Sequence, residues 1–217
     1  MKLFLASAGI QPETKDDLLK LLGRDPRGMK VAFIPTAVNH PVEKAKNEIK
    51  NHVQRSKDKL TELGFVLDEV DIEFYPKEGL RAKLEEADII YVNGGNTFYL
   101  LDQVRKSGLD VYIRELLETR IYMSSSAGSV LVTPNTYPSR WKGMNDTNDS
   151  NIEDFAGLSL VPFCLFVHYE EENLRASVEK QAKDFPYKVV CLTNQQAVAV
   201  DGDSWEIVGT GEKLIFN

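Results

Sequence analysis

The segment Arg120-Ile-Tyr-Met-Ser-Ser-Ser-Ala-Gly-Ser-Val-Leu has residue types suited to covalent catalysis. A β-like run ends in Ser124-Ser125-Ser126-Ala127-Gly128, and a helix-compatible run follows. Strand, tight turn and helix in that order form the setting of a nucleophile elbow, usually spelled G-x-S-x-G. Ser124 replaces the first glycine and Gly128 keeps the second. Such a turn would hold the Ser126 hydroxyl out at the carboxyl edge of a sheet, with the Ala127 N–H at a helix N-terminus facing a developing oxyanion. The plain alternative is a small-residue helix start with a serine cap. A second turn, Val92-Asn-Gly-Gly-Asn-Thr-Phe, also follows an apolar run. Its glycines permit close backbone approach, so Gly94 or Gly95 could supply a second oxyanion donor, while Asn96 or Thr97 could cap the next helix. The spacing is not G-x-G-x-x-G, and no G-x-x-x-x-G-K-[ST] occurs, so nucleotide binding has little support.

A serine nucleophile needs a base, because its own pKa leaves almost no alkoxide at neutral pH. The chain has 3 histidines. His52 falls on a long amphipathic segment, where a surface or boundary role is expected. His40 precedes Pro41 in a loop. His168 ends the run Phe163-Cys-Leu-Phe-Val and opens Tyr-Glu-Glu-Glu, which puts it at the carboxyl end of a strand beside both turns. His168 is therefore the expected base. An acid or amide should hold its tautomer. Asp146 and Asp149, in Met144-Asn-Asp-Thr-Asn-Asp, and Asn194, in Leu192-Thr-Asn-Gln-Gln, are all eligible, and each also fits ordinary turn chemistry.

Positioning these groups requires strands that end together. Strands are expected at 2–7, 30–35, 65–72, 88–93 and 120–124, where apolar runs are continuous rather than alternating, as in strands buried on both faces of a parallel sheet. Helices are expected at 15–22, 41–63, 80–86, 97–106 and 111–118. The clearest, 41–63, carries Val42, Ala45, Ile49, Val53, Ser56, Leu60 and Leu63 as one stripe, with Gly64 as its C-cap. This alternation predicts an α/β fold with a doubly wound, mostly parallel sheet flanked by helices. Residues 133–155 read as an ordered loop or short hairpin. Apolar strands follow at 161–167, 188–192, 197–200, 206–208 and 213–216, with a hairpin turn at Asp201-Gly202. With no linker or repeat, residues 1–217 read as one domain. In such a sheet ligands bind beyond the carboxyl ends of the strands, where both glycine-bearing turns fall.

The net charge of −7, with 42% hydrophobic and 27% charged residues, belongs to an ordinary globular chain and excludes a basic nucleic-acid platform. No apolar run reaches the ~20 residues of a membrane span, and the start MKLFLASAG breaks into QPETKDD before reaching signal-peptide length. Cys164 and Cys191 lie in apolar runs without zinc spacing and read as buried free thiols. A cytoplasmic protein without metal or cofactor, monomeric or homodimeric, is the expectation.

Together the motifs have a familiar order. Lys30-Val-Ala-Phe-Ile-Pro-Thr-Ala, Gly94-Gly-Asn-Thr-Phe-Tyr-Leu-Leu, Ser126-Ala-Gly-Ser, Asn145-Asp146, Leu160-Val-Pro ahead of His168-Tyr, and Ala197-Val-Ala-Val-Asp-Gly span nearly the whole chain. The chain resembles the peptidase E (aspartyl dipeptidase) family of serine peptidases, whose fold is similar to the glutamine amidotransferase-like α/β proteins. The resemblance implies Ser126 as nucleophile and His168 as base, with Gly95 and Ala127 N–H groups, and Gly94 beside them, forming the oxyanion hole. It matches Asp146 to the family's Asn-Asp segment. A competing family position for the acid corresponds to Asn194, an amide here. Asn93, where the family often has a third glycine, and Ser124 are further departures. The implied substrates are dipeptides with N-terminal Asp, for which Asn96 and Arg140, with Lys142 nearby, are the expected binding residues. Rival functions are hydrolysis of other amide or isopeptide bonds, such as cyanophycin-like substrates, and non-catalytic binding of a small molecule.

Overall fold

A computed structural model describes residues 1–45, 47–170 and 174–216. Its elements run β1 (Lys2–Ala6), α1 (Pro12–Leu22), β2 (Lys30–Ile34), α2 (Pro41–Lys44), α3 (Asn47–Glu62), β3 (Val66–Glu69), α4 (Lys77–Glu85), β4 (Ile89–Val92), α5 (Thr97–Ser107), α6 (Leu109–Leu116), β5 (Ile121–Ser125), α7 (Ala127–Leu131), β6 (Cys164–Phe166), α8 (Arg175–Ala182), β7 (Val189–Cys191), β8 (Gln196–Asp201), β9 (Ser204–Gly209) and β10 (Leu214–Phe216). The large sheet has the order β3-β2-β4-β5-β1-β8-β9. Its first five strands are mutually parallel, and β8 and β9 close it as an antiparallel hairpin. A second sheet, β10-β7-β6, pairs β6 parallel to β7 and β10 antiparallel to it. The α/β class and the mostly parallel, doubly wound sheet are as expected. The separation of the C-terminal strands into two sheets was not legible in the sequence.

Helices cover both faces of the large sheet. On one, Leu18 of α1 and Leu60 of α3 pack with Phe4, Val31, Phe33 and Met123. On the other, Leu80 of α4, Leu100 of α5, Ile113 of α6 and Val130 of α7 pack with Leu3, Leu5, Ile90 and Val92. This second cluster also takes in Leu165, Val167, Val190 and Leu192 from the small sheet, so the two sheets share one continuous core. Pro12 opens α1, where a missing N–H costs nothing. The helix ends at Gly23, whose φ of 67° turns its N–H back to Leu19 O at 3.2 Å.

The helix expected at 41–63 is two helices, α2 and α3. Val42 is consequently 48% exposed rather than part of the buried stripe, which begins in α3 with Val53 and continues through Ser56 and Leu60. The side chain of Ile49 in that stripe, like the residues Glu171 and Glu172 after His168, lies outside what the structure describes. Helix α8 had no expected counterpart: Val178 and Ala182 are its buried side chains, too few for a legible stripe. Between 133 and 155 the chain forms an ordered loop, with a single 3₁₀ turn at Tyr137–Arg140 and a bridge between Asn135 and Ala156.

Candidate active site

Strand β5 ends at Ser125, and α7 starts at Ala127. Ser126 between them has φ 50° and ψ −115°, a conformation that side-chain-bearing residues rarely adopt. The surroundings hold it there. Its N–H is shared between Ala6 O at 3.0 Å and Ser7 O at 3.1 Å, and its carbonyl accepts from Ser129 N at 2.8 Å and Val130 N at 3.1 Å. Gly128 is required because a Cβ there would lie 2.2 Å from Val92 O. The serine at the first glycine position is accommodated: Ser124 Oγ lies 2.9 Å from Ser129 Oγ, which donates to Ala6 O at 2.7 Å. The elbow is therefore built with hydroxyl pairing on one flank and glycine on the other.

The small sheet brings the imidazole. β6 and β7 run parallel with Phe166 opposite Cys191, so the segments just past their carboxyl ends lie side by side. His168 leaves one and Asn194 the other. His168 Nε2 lies 2.9 Å from Ser126 Oγ, and its Nδ1 lies 2.6 Å from Asn194 Oδ1. An amide oxygen only accepts, so Nδ1 carries the proton and Nε2 offers its lone pair to the serine hydroxyl. That is the tautomer a general base needs. His168 too has a positive φ, 58°. The Glu170 carboxylate accepts the Asn194 N–H and fixes the turn that presents the amide.

Ser7, buried just past β1, joins the two sheets and had no distinguishing sequence signal beyond its place at a strand end. Its hydroxyl accepts the His168 N–H at 2.8 Å and donates to Leu192 O at 3.3 Å, while its carbonyl takes the Ser126 N–H.

The Gly94-Gly95 turn packs against the elbow. A Cβ on Gly94 would lie 2.9 Å from Ser126 Cβ. Gly95 has φ 147°, and a Cβ there would lie 2.4 Å from the Ala37 carbonyl. Neither N–H has an acceptor among the described residues, and the Ala127 N–H is at the first position of α7, where no intrahelical acceptor exists. Asn93, in place of a further glycine, is fully buried, with its N–H on Ile34 O at 2.9 Å.

The remaining expected residues fall elsewhere. Asp146 does not hydrogen bond His168; its Oδ2 accepts the Thr97 N–H at 2.9 Å at the start of α5, and burial pushes its carboxyl above the usual range. The loop sets Asp146 at the start of α5, from which it acts on His168 only through space. Asp149 instead meets buried His40, Oδ2 to Nε2, at 3.0 Å. Asn96 serves the protein itself: Oδ1 caps Tyr99 N and Nδ2 donates to Thr147 O, both at 2.9 Å. Arg140 is exposed, with its guanidinium 5.8 Å from the centre of the Tyr137 ring, and lies outside the cavity beside His168. That cavity, about 390 Å³, is bounded by Gly9, His52, Arg55, Lys59, Tyr91, His168 and Asn194 among others, and His52 stands half-buried on its wall, a boundary position as expected. Cys164 and Cys191 are buried and free, their thiols pushed by burial up to about 11 and about 12. Among the described residues no three His, Cys, Asp or Glu side chains form a metal-binding group, and no helix is long and apolar enough to cross a membrane.

An uncharacterized peptidase of Listeria monocytogenes is 32% identical over 184 residues, covering 81% of this chain and 84% of its own. A candidate alpha-aspartyl dipeptidase of Drosophila melanogaster is 33% identical over 159 residues, covering 64% of this chain and 63% of its own. The crystal structure of a candidate peptidase E from Listeria monocytogenes EGD-e superimposes with a TM-score of 0.77 at 27% identity, covering 97% of this chain and 98% of that one. The model of peptidase family S51 matches residues 3–208, nearly the whole chain and all of the elbow, the imidazole and the glycine turn, and the chain belongs to that family.

Proposed function

We propose that the protein is a serine exopeptidase that hydrolyses short peptides, foremost dipeptides with N-terminal Asp, through an acyl-enzyme. The observation that carries this reading is the linear chain of contacts from Ser126 Oγ through His168 to Asn194 Oδ1, 2.9 Å and 2.6 Å, on a strained elbow. Ser126 attacks the scissile carbonyl as its proton passes to His168 Nε2. Charge builds on the carbonyl oxygen and is met by the unpaired Ala127 N–H and a Gly94 or Gly95 N–H; loss of one such donor typically costs ~3 kcal/mol in the transition state. The imidazolium, steadied by Asn194, returns the proton to the leaving amine. Water then repeats the sequence on the acyl-enzyme with His168 again as base.

The preference for Asp comes from the resemblance to aspartyl dipeptidases and from the name carried by the Drosophila relative. A panel of dipeptides tests it. The wild type should turn over Asp-Leu or Asp-p-nitroanilide far faster than uncharged counterparts. Ser126→Ala should lose at least about 10³-fold in kcat while unfolding at the same denaturant midpoint. Undiminished turnover by Ser126→Ala would remove the nucleophile assignment, and labelling of Ser126 by a fluorophosphonate without turnover of any peptide would argue for a different ester or amide substrate.

A further inference from the structure

Within the peptidase reading, the source of carboxylate recognition is open once Arg140 is found outside the cavity. His52, Arg55, Ser56 and Lys59 recur at helical spacing along one face of α3, and all four line the cavity that His168 and Asn194 also line. Among the described residues no Asp or Glu lines it. In a chain of net charge −7, this is a cationic wall directly beside the base. Arg55 is exposed and has no ion-pair partner among the described residues. Lys59 donates to Ile10 O at 2.8 Å and to Gln11 Oε1 at 3.2 Å, leaving one of its three ammonium donors without a partner among the described residues. Carboxylates near the pocket, Glu13 and Glu62, act on Lys59 only through space.

We infer that Arg55 and Lys59 of α3 form the specificity site of this enzyme, binding a carboxylate of the substrate in the cavity next to His168. The pocket's own strain agrees. Burial foremost, and the neighbouring Arg55 charge next, hold both His52 and Lys59 below their ordinary pKa values, and His168 adds to the effect on His52. A bound carboxylate would relieve that repulsion, and a planar guanidinium is suited to grip it in two places. An anion there would also offset the imidazolium that His168 becomes during turnover, so the charge that identifies the substrate would favour the step it undergoes.

The carboxylate has two sources in a dipeptide: the Asp side chain and the C-terminus. Arg55→Gln and Lys59→Gln should each raise KM for Asp-Leu by about tenfold or more, with a smaller change in kcat. The same rise with Asp-p-nitroanilide, which has no C-terminal carboxylate, assigns the side chain; a rise confined to Asp-Leu assigns the C-terminus. Arg140→Gln serves as a control outside the cavity. An uncharged fluorophosphonate should still label Ser126 in both variants, as a merely misfolded site would not. Independently of turnover, succinate added to Ser126→Ala should shift the His52 imidazole resonances, and Arg55→Gln should weaken that response about tenfold. Unchanged KM in both variants, or succinate binding that ignores Arg55 and Lys59, overturns the assignment. Succinate binding that depends on Arg55, without hydrolysis of any Asp peptide, would keep the anion site and remove the dipeptidase reading instead.

Discussion

Ser126 and His168 both hold positive φ angles, 50° and 58°, although neither is glycine. Such conformations cost on the order of 1–3 kcal/mol each and persist where the surroundings over-determine them. Here the over-determination is visible as hydrogen bonds on both backbones, converging on Ala6 and Ser7. The third member is less expensive in backbone terms but weaker in charge. An amide fixes the tautomer of His168 as well as a carboxylate would, yet it stabilises the imidazolium less. Two substitutions separate those roles. Asn194→Ala removes the acceptor on Nδ1 and should lower kcat by at least about 10²-fold. Asn194→Asp keeps the acceptor and adds charge, so it should hold or raise kcat. It should also move the acidic limb of the kcat/KM profile to higher pH, because a neighbouring carboxylate favours the protonated imidazole. A limb that stays in place, or moves down, would show that Asn194 does not act through His168.

At the scale of elements, the site depends on how strand ends meet. β5 delivers Ser126 from the large sheet, while β6 and β7 deliver His168 and Asn194 from the small one. Ser7 is the polar joint between them. Removing its hydroxyl leaves the His168 N–H without its acceptor in a buried setting, which typically costs ~1–3 kcal/mol. Ser7→Ala should therefore slow acylation by about tenfold or more through kcat rather than KM, since the imidazole loses its register to Ser126. Ser7→Thr, which restores a hydroxyl, should recover part of the loss; failure of both readouts to differ from wild type would leave the joint without a catalytic role. The same strand logic explains what was legible beforehand. Continuous apolar runs announced the strands, and at their carboxyl ends the elbow motif singled out Ser126 and elimination among three histidines singled out His168. The third partner could not. Asp146 and Asn194 both stand in polar turns, and only the parallel pairing of β6 with β7 brings one of them to Nδ1. Arg55 was hidden for the opposite reason, as a charge on an amphipathic helix looks like solvated surface until the cavity in front of it is seen.

Across the whole molecule, Ser126 and His168 are held at a fixed separation because both sheets feed one apolar cluster, in which Leu165 and Val190 of the small sheet pack with Leu3, Leu5 and Val198 of the large. Close-packed interiors transmit such constraints with little give. The loop over α5 belongs to the same scaffold, and Asp146 shows how. Its side chain caps α5 through Thr97 N while burial raises its pKa, so in the folded state it binds protons that the unfolded chain has already released. The folded state therefore holds more protons in the interval above the ordinary carboxylate pKa, and the contribution of this group to stability falls as pH rises through that interval. Asp146→Asn keeps an oxygen for Thr97 N and removes the ionisation. Urea unfolding from about pH 4 to about pH 7 should show the variant gaining on the wild type as pH increases, with kcat for Asp-Leu unchanged within about twofold. A constant difference in unfolding free energy across that range would mean that Asp146 titrates normally in the fold, and a collapse of kcat would return it to the catalytic machinery.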